Sequence, residues 1–425
     1  MPGFQSLPGF RDFFPDDFAL RSHIVGAWRE ASRRYGFVEY DGPPLEPLEL
    51  YVEKSGEEIV HQLYNFEDKG GRAVALRPEM TPTFARMVGG RARSLPKPIR
   101  WFSVPQLFRY ERTQRGRLRE HFQWNVDIVG ETGVAADAEV LSVALEALRL
   151  LGLGAEDVVA RVNDRRLLER LLTYAGVPAD ALAATYPVID KLTREGEGRA
   201  RERFTEIGLS ADVIDRLFDL FRYEDFEALA RDHGNVPGVR EEIDRLREYF
   251  ALLDALGWGG QIAFDISIVR GLAYYTGIVF EIFDRHGELR AICGGGRYDE
   301  LLSALSGVDL PALGFGMGDV VLGELLKERG LAPDTEPALD YYIVAVTDAE
   351  ASLVRRVAGA LRGRGHAVAY GLRGAGVGRQ FKDADVRGAR YAVVLGPDEV
   401  AAGAAVIREM ATGEERRVTL TELLG

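Results

Sequence analysis

The sequence contains a single cysteine, Cys293, which excludes an intramolecular disulfide and a cysteine-based metal cluster. Its six histidines are widely separated and show no HExxH spacing, so we predict no metal site built from protein side chains. No apolar run is long enough to cross a bilayer. The N-terminal residues lack the basic and apolar regions of a signal peptide. We therefore expect a cytosolic protein without a membrane segment.

Positive charge is also scarce by comparison with negative charge. The 425 residues include 53 Lys and Arg against 66 Asp and Glu, which gives a formal net charge of −13. This balance argues against non-specific binding to nucleic acid, so any contact with RNA requires a local basic surface. The hydrophobic content of 46% excludes a disordered chain, and the length predicts two or more domains.

The chain is organised around the segment Leu107–Gly130, which reads as two strands joined by a basic loop. In the second strand, apolar and polar residues alternate with a period of two, which places the two sets on opposite faces. The apolar set is Phe122, Trp124, Val126 and Ile128, and the polar set is Gln123, Asn125 and Asp127. In the first strand, the same period predicts one face with Leu107, Arg109 and Glu111 and the other with Phe108 and Tyr110.

A solvated outer face is the usual explanation of such alternation. Here the partner face is dense in aromatic residues, and the loop beside the polar face is strongly basic. The basic residues in or beside this loop are Arg112, Arg115, Arg117 and Arg119. These two features favour a site for an anionic substrate.

Three further motifs are candidates for chemistry. RPE-x-T at Arg77–Thr81 leads into a helix, and a capping Thr81 beside a surface glutamate is its structural alternative. VRGL-x-YY-x-x-x-VFE begins at Val269, with Gly271 allowing a tight bend after Arg270. The glycines of CGGGRYDELL, Cys293–Leu302, let the backbone approach a ligand closely. A fourth run, GFGMGD, opens a helix and fits neither a Walker loop nor a Rossmann fingerprint.

The remaining patterns predict the order of the elements. A first helix, capped by Asp16 or Asp17, runs to about Tyr35 and is followed by a strand that ends before Pro43-Pro44. Residues 165–257 are nearly all helical in pattern, and charge runs there are typical of solvated faces. Strands are predicted at Val158–Val162, Phe264–Val269 and Ile278–Phe283. The segment PDTEP, Pro333–Pro337, reads as a linker, followed by strand-like runs that predict a small α/β domain.

These motifs, in this order, resemble the class II aminoacyl-tRNA synthetases, and the chain is similar to the histidyl-tRNA synthetases almost from end to end. The resemblance implies an α+β fold: an antiparallel-sheet catalytic core over residues 1–330 with a helical insertion at 165–257. A linker at 331–339 and an α/β anticodon-binding domain at 340–425 follow. The basic stretch between Arg362 and Arg390 belongs to the latter. The first helix and strand resemble motif 1, which implies a homodimer.

The implied reaction is the ATP- and Mg²⁺-dependent activation of L-histidine to histidyl-adenylate, followed by transfer to tRNA(His). By position in the family motifs, Arg109 and Arg270 are the catalytic residues that flank the α-phosphate. The implied histidine-binding residues are Glu79, Thr81, Gln123, Asp127, Tyr274, Tyr275 and Tyr298. The implied ATP-binding residues are Arg109, Glu111, Arg117, His121 and Arg270.

The sequence departs from the family pattern at two positions. The motif 3 arginine, which contacts adenine and the γ-phosphate in the family, is replaced by Val321, and Arg115 or Arg117 is our candidate to take over part of its contact. His121 stands where a phenylalanine usually stacks on adenine. Two alternatives remain open: a non-catalytic histidine-binding relative, such as the regulatory subunit of ATP phosphoribosyltransferase, and a ligase that charges something other than tRNA. We favour the active synthetase.

Overall fold

A computed structural model describes residues 4–55, 57–112, 114, 116–270, 274–287, 289–333 and 339–425, with the side chains of 53–55, 57–59, 193 and 194 excepted. The chain divides into two compact units, Met1–Ala332 and Pro333–Gly425. In the described part of the chain, no helix has the length and apolar character needed to span a membrane.

The first unit contains a large, mainly antiparallel sheet. Its strands and those of a smaller sheet are β1 (Val38–Glu39), β2 (Leu45–Pro47), β3 (Asn65–Glu67), β4 (Ala73–Leu76), β5 (Ile99–Ser103), β6 (Gln106–Phe108), β7 (Glu120–Val129), β8 (Val158–Asp164), β9 (Ile262–Phe264), β10 (Ile278–Asp284), β11 (Cys293–Arg297) and β12 (Ala312–Gly318). The large sheet has the order β1-β5-β7-β12-β11-β10-β8-β9, and β6 pairs with the start of β7. Its pairs are antiparallel except β1–β5 and β8–β9. The small sheet has the order β2-β4-β3.

Helices pack on both faces of the large sheet, and most of them lie on the face that carries Trp124. The helices of this unit are α1 (Pro15–Arg34), α2 (Glu49–Ser55), α3 (Thr81–Arg91), α4 (Val134–Leu150), α5 (Arg165–Ala175), α6 (Leu182–Ile189), α7 (Leu192–Glu195), α8 (Glu197–Glu206), α9 (Ala211–Phe221), α10 (Phe226–His233), α11 (Val239–Ala255), α12 (Leu301–Ser306) and α13 (Asp319–Glu328). The predicted apolar face of β7 lies in this core, because Trp124, Val126 and Ile128 are fully buried. Trp124 stacks on Trp28 of α1 with ring centroids 6.0 Å apart. Its Nε1 donates to Ser32 Oγ at 3.1 Å. The polar face of β7 is therefore left for the site.

The helical segment α5–α11 is part of this core and does not form a separate one. Buried side chains such as Leu217 and Leu246 belong to the same apolar cluster as Trp124. Asp164 caps α5 by accepting from the Arg166 N–H at 2.8 Å. Its other carboxylate oxygen pairs with Arg245 of α11 at 2.5 Å. This buried pair ties the last helix of the segment to the end of β8.

The second unit is an α/β sandwich. It consists of β13 (Leu339–Ala345), α14 (Ala351–Gly363), β14 (Val368–Tyr370), α15 (Val377–Val386), β15 (Ala389–Leu395), α16 (Pro397–Ala401), β16 (Ala404–Glu409), β17 (Glu415–Thr419) and α17 (Leu420–Leu424). The sheet order is β14-β13-β15-β16-β17. The first three strands of that order are parallel, and the rest are antiparallel. The three predicted strand-like runs form the parallel part.

Four local predictions need correction. β6 ends at Phe108, so the alternation does not continue through Glu111, and Leu107 is fully buried instead of sharing the polar face. α1 begins at Pro15 after Phe14, so Asp16 and Asp17 lie in its first turn, where they favour the helix dipole but do not cap it. The strand predicted at Phe264–Val269 is β9, which ends at Phe264 because Asp265 accepts from Ser267 and turns the chain. α3 has Met80 at its N-cap position, so Thr81 is not the cap.

Two predictions lie largely or wholly outside the described residues. These are the bend at Gly271 and most of the linker Pro333–Pro337.

Candidate active site

A small cavity of about 110 Å³ lies on the polar face of the large sheet, where β7, β12 and β11 run side by side. The positions of β11 and β12 that line this cavity include three glycines, Gly294, Gly314 and Gly316. Gly314 lies opposite Asp127, and Gly316 lies opposite Asn125 on β7 and Gly294 on β11. A Cβ at Gly316 would come within 2.9 Å of the Gln123 side chain, and one at Gly314 would come within 3.0 Å of the Tyr298 hydroxyl. The glycines therefore make the space that the polar side chains of β7 occupy.

The structure brings every residue predicted to bind histidine to this small cavity. The predicted residues that line it are Glu79, Thr81, Gln123, Asp127, Tyr274, Tyr275 and Tyr298. They come from the start of α3, from β7, from the segment before β10 and from the end of β11. Arg109 and Arg270 line the same cavity.

Asp127 and Tyr298 form the buried polar centre of the small cavity. The Tyr298 hydroxyl donates a short hydrogen bond to Asp127 Oδ1, and both residues are more than 90% buried. Burial and the adjacent Asp127 carboxylate raise the pKa of Tyr298 well above its ordinary value, so Tyr298 remains a donor. The Tyr274 and Tyr275 rings pack 4.8 Å apart, and the Tyr274 and Tyr298 rings are 5.9 Å apart. The cavity thus combines a carboxylate acceptor with an aromatic wall.

A larger cavity of about 660 Å³ adjoins the small one, because both are lined by Glu79, Arg109, Gln123, Arg270, Gly294 and Gly316. The structure brings all the residues predicted to bind ATP to this larger cavity. They are Arg109, Glu111, Arg117, His121 and Arg270. Arg109 Nε donates to the Pro78 carbonyl at 3.0 Å, which holds its guanidinium where the two cavities meet. Arg117 Nε forms a short ion pair with Glu111.

Arg270 lies at the junction of the two cavities in a strained backbone conformation. Its φ is 56°, in the left-handed region that glycine normally occupies. Its guanidinium pairs with Glu281 on β10. The nearby Asp265 pairs with Arg161 at 3.2 Å and not with Arg270. Burial lowers the pKa of Arg270, but Tyr275 and Glu281 outweigh it and raise the pKa above its ordinary value. The buried Nε of Arg270 has no hydrogen-bond partner within the described residues.

His121 lies in the wall of the larger cavity as a neutral ring. Burial, together with the nearby Arg109, Arg11 and Arg117, lowers the pKa of His121 to about 3. A neutral ring can stack on a base without adding a further positive charge to a wall that is already rich in arginine.

Val321, which replaces the motif 3 arginine, lies in the wall of the same larger cavity as His121. Val320 and Val321, at the start of α13, line the larger cavity, and Val321 is 9% exposed. A Cβ built at Gly116, in the basic loop, would lie 3.2 Å from the Val321 side chain. This part of the wall is apolar. Arg117, one of the two candidates to replace the missing arginine, is near it, and the other, Arg115, lies outside the described residues.

The structure adds residues that sequence reasoning did not assign. Asn125 lines the small cavity, and its place on the polar face of β7 was the available signal. Glu281, the partner of Arg270, interrupts the apolar run Ile278–Phe283 of β10. Arg290 and Asp190 line the larger cavity from a hairpin loop and from the end of α6, and no pattern in the sequence indicated either.

The second unit carries an exposed basic surface of its own. Arg362 and Arg364 bond backbone carbonyls of Val368, Glu422 and Leu423, so these two basic residues are structural. The other basic residues of the predicted stretch are exposed, and Leu372 and Val386 lie exposed among them. The exposed basic residues are Arg373, Arg379, Lys382, Arg387 and Arg390.

Known proteins share both the sequence and the fold. A family model described as histidyl-tRNA synthetase matches residues 9–318, and one described as an anticodon binding domain matches residues 340–425. The histidine–tRNA ligase of Opitutus terrae is 44% identical over 98% of this chain and 96% of its own length. The chloroplastic/mitochondrial histidine–tRNA ligase of Arabidopsis thaliana is 42% identical over 98% of this chain and 85% of its own length.

Among solved structures, the histidyl-tRNA synthetase of Nostoc sp. PCC 7120 superposes with a TM-score of 0.85 at 24% identity. It covers 100% of this chain and 99% of its own, and at this identity it shows the fold alone. The apo S. aureus histidyl-tRNA synthetase gives a TM-score of 0.75 at 25% identity, covering 99% of each chain. The family match over most of the length, together with the near full-length relatives, shows that the chain belongs to the histidyl-tRNA synthetase family.

Proposed function

We propose that this protein is a histidine–tRNA ligase, which activates L-histidine with ATP and transfers the histidyl group to tRNA(His). The observation that carries the proposal is the pair of adjoining cavities. A small one is built around a buried carboxylate and tyrosines, and a larger one is lined by arginines. Arg109 and Arg270 line both cavities, so they lie where a carboxylate from one ligand would meet a phosphate of the other.

Histidine is selected in the small cavity by hydrogen bonding to its ring. The imidazole carries two nitrogens, and the Asp127 carboxylate accepts from a ring N–H while Tyr298 holds that carboxylate in place. Glu79 and Thr81 bind the α-amino group, and Gln123, Tyr274 and Tyr275 line the rest. An amino acid without a ring N–H leaves buried polar groups unpaired, which typically costs about 10⁴ or more in discrimination.

Activation needs positioning and charge stabilisation but no protein nucleophile. A histidine carboxylate oxygen attacks the α-phosphorus, and the bond to the bridging oxygen breaks, so pyrophosphate leaves. Negative charge builds on the α-phosphate oxygens during this step. Arg109 and Arg270 are fixed cations beside it, and such preorganised groups commonly contribute roughly 3–4 kcal/mol each. The 3′-terminal hydroxyl of the tRNA then attacks the histidyl carbonyl, and AMP leaves.

ATP brings Mg²⁺ to the larger cavity under this proposal. Within the described residues, no cluster of His, Cys, Asp and Glu is arranged to hold a metal ion. Mg²⁺ usually binds substrate phosphates with one or two carboxylates, and the carboxylates lining this cavity are Glu79, Glu111, Asp190 and Glu281. Glu79 is assigned to the α-amino group, and Glu111 and Glu281 pair with Arg117 and Arg270, so Asp190 is the carboxylate that would hold it. When bound, the ion neutralises charge on the phosphates.

The tRNA contacts the second unit. The exposed basic and apolar residues between Arg373 and Arg390 support this assignment, since they form a local basic surface on an acidic protein. We assign a catalytic core to residues 1–330 with its helical insertion at 165–257, a linker to 331–339 and an anticodon-binding domain to 340–425. The two compact units are consistent with this assignment.

We also propose a homodimer formed through the motif 1 region. Large exposed apolar side chains are concentrated before residue 111 in the first unit. They are Phe4, Leu7, Phe14, Phe18, Val38, Leu45, Phe66 and Tyr110. Phe14 and Phe18 at the start of α1 and Val38 of β1 belong to the motif 1 region, and exposed apolar side chains of this kind support an interface there. The cytosolic location remains a prediction from the sequence.

The test is histidine-dependent ATP–pyrophosphate exchange, followed by charging of tRNA(His). The wild-type protein should exchange label only with histidine present, and histidinol should compete with histidine without supporting exchange, because it lacks the attacking carboxylate. A non-catalytic histidine-binding relative is the competing function, and the apolar wall at Val321 is the observation that favours it. Histidine binding without exchange at saturating ATP and Mg²⁺ would establish that alternative.

A further inference from the structure

The loop between β10 and β11 brings a fourth arginine to the larger cavity. Arg290, on this loop, lines the cavity, and its Nη2 donates to Gln114 Oε1 at 2.6 Å. Gln114 lies in the basic loop, where its backbone N–H and carbonyl pair with those of Arg117. The contact therefore joins two loops that are 176 residues apart in sequence, at the wall of the cavity.

The four arginines that line this cavity among the described residues differ in how their charge is balanced. Arg117 pairs with Glu111, and Arg270 pairs with Glu281. Arg109 donates to a backbone carbonyl, and Arg290 donates to a neutral amide. Among the described residues, neither of these last two forms an ion pair with a carboxylate. Arg290 is thus held in place by a partner that leaves its charge available to an anionic ligand.

The position of Arg290 separates it from the reacting atoms. Arg109 and Arg270 line both cavities, whereas Arg290, Arg117 and Val321 line only the larger one. A cation that lines only the larger cavity is away from the carboxylate of a histidine in the small cavity. It is instead near the part of the larger cavity where the rest of the nucleotide must lie. Val321 supplies no charge, so the cation for that region must come from another element.

We propose that Arg290 binds the β- and γ-phosphates of ATP and supplies the cationic contact that Val321 cannot make. This inference rests on the proposed function, since it assigns ATP to the larger cavity. Arg290 is then a binding residue for the leaving pyrophosphate, and Gln114 is its positioning residue. A guanidinium suits this role because its fork can donate two hydrogen bonds to phosphate oxygens.

The test compares ATP with AMP, which lacks the two phosphates that Arg290 contacts. Binding of each nucleotide is measured by equilibrium dialysis without histidine, on the full-length wild-type protein, Arg290→Gln and Arg290→Lys. Arg290→Gln should bind ATP about 10-fold or more weakly while its AMP affinity stays within about 2-fold, since a hydrogen bond between charged groups is lost. Arg290→Lys should lose less ATP affinity because it keeps the charge.

The matched control is Arg285→Gln in the same loop. Arg285 is exposed, donates to the backbone carbonyls of Ala155 and Gly260, and does not line the cavity. This variant should bind both nucleotides as the wild type does. The inference is overturned by wild-type ATP affinity in Arg290→Gln, by an equal loss of AMP and ATP affinity, or by an equal effect in Arg285→Gln. Exchange by the wild-type protein is scored separately, so failure of the proposed function stays distinguishable from failure of this inference.

Discussion

Replacing Arg270 by glutamine should separate transition-state stabilisation from structural pairing. Arg270 lines both cavities, its buried Nε has no partner within the described residues, and its backbone is in the left-handed region. Strain of this kind costs about 1–3 kcal/mol and is retained where the surroundings enforce it, often at functional sites. Losing one preorganised donor costs roughly 10²–10³ in kcat. We expect exchange to fall by that factor while the histidine dissociation constant changes little.

The same substitution should also lower stability, because it leaves Glu281 without its cation. Both side chains of the pair are 21% exposed, so the carboxylate is mostly desolvated. An unpaired charged group in such a place costs about 1–3 kcal/mol. The entropy of unfolding is roughly 2 cal/mol/K per residue, so a unit of the size of Met1–Ala332 loses about 1.4 °C of Tm per kcal/mol, and we expect a decrease of about 1–4 °C.

The double variant Arg270→Gln/Glu281→Gln distinguishes the two effects. Removing both charges restores a neutral pair, so Tm should return most of the way to the wild-type value, while exchange should remain low. Exchange, histidine affinity by calorimetry and Tm are measured on the wild type, both single variants and the double variant. Recovery of exchange together with Tm in the double variant would refute the catalytic role and leave Arg270 as a structural residue.

Three further predictions concern the pocket, the neutral histidine and assembly. Asp127→Asn should raise the KM for histidine sharply and leave the KM for ATP nearly unchanged in the exchange assay, and equal losses for both substrates would contradict its role. His121 has a folded pKa of about 3 against roughly 6.5 in the unfolded chain. Its contribution to stability is therefore complete above pH 6.5 and decreases as pH falls, by about 1 kcal/mol at pH 5.5. Between pH 7.5 and pH 5.5, the Tm of His121→Phe should fall by less than the Tm of the wild type. Equal decreases in both proteins would show that the pKa of His121 is not lowered in the folded state. Sedimentation at micromolar concentration should give a dimer, and Phe14→Glu/Phe18→Glu should shift it toward monomer, whereas a monomeric wild-type protein would rule the interface out.

Sequence periodicity predicted the part of the small cavity that lies on β7, whereas the other histidine-binding residues were placed only by the family resemblance. The period of two in β7 placed Gln123 and Asp127 on the face opposite Trp124, and the structure has them there. The glycines of β11 were recognisable as positions of close approach, whereas no pattern in the sequence showed that Gly314 of β12 lies opposite Asp127.

The larger cavity was less predictable because its walls are loops and ion pairs. The pattern that placed Arg109 and Glu111 on a strand face was wrong, since β6 ends at Phe108. Both residues reach the cavity all the same, because the chain continues beside β7 after the strand ends. The pairing of Arg270 with Glu281 depends on how the segment before β10 folds back over that strand, and no local rule specifies this. The position of Arg290 depends on its contact with Gln114, which is 176 residues away in sequence.

The two ion pairs in the larger cavity explain how a site with four arginines can be stable before ATP binds. Like charges in one cavity repel each other, and burial makes that repulsion stronger. Glu111 and Glu281 offset it at Arg117 and Arg270, while Arg109 and Arg290 are held by neutral acceptors. All four guanidinium groups therefore have at least one fixed contact in the absence of ligand. Arriving phosphates meet donors that are already oriented, so little reorganisation is needed as charge develops, and this is the condition under which such donors stabilise a transition state.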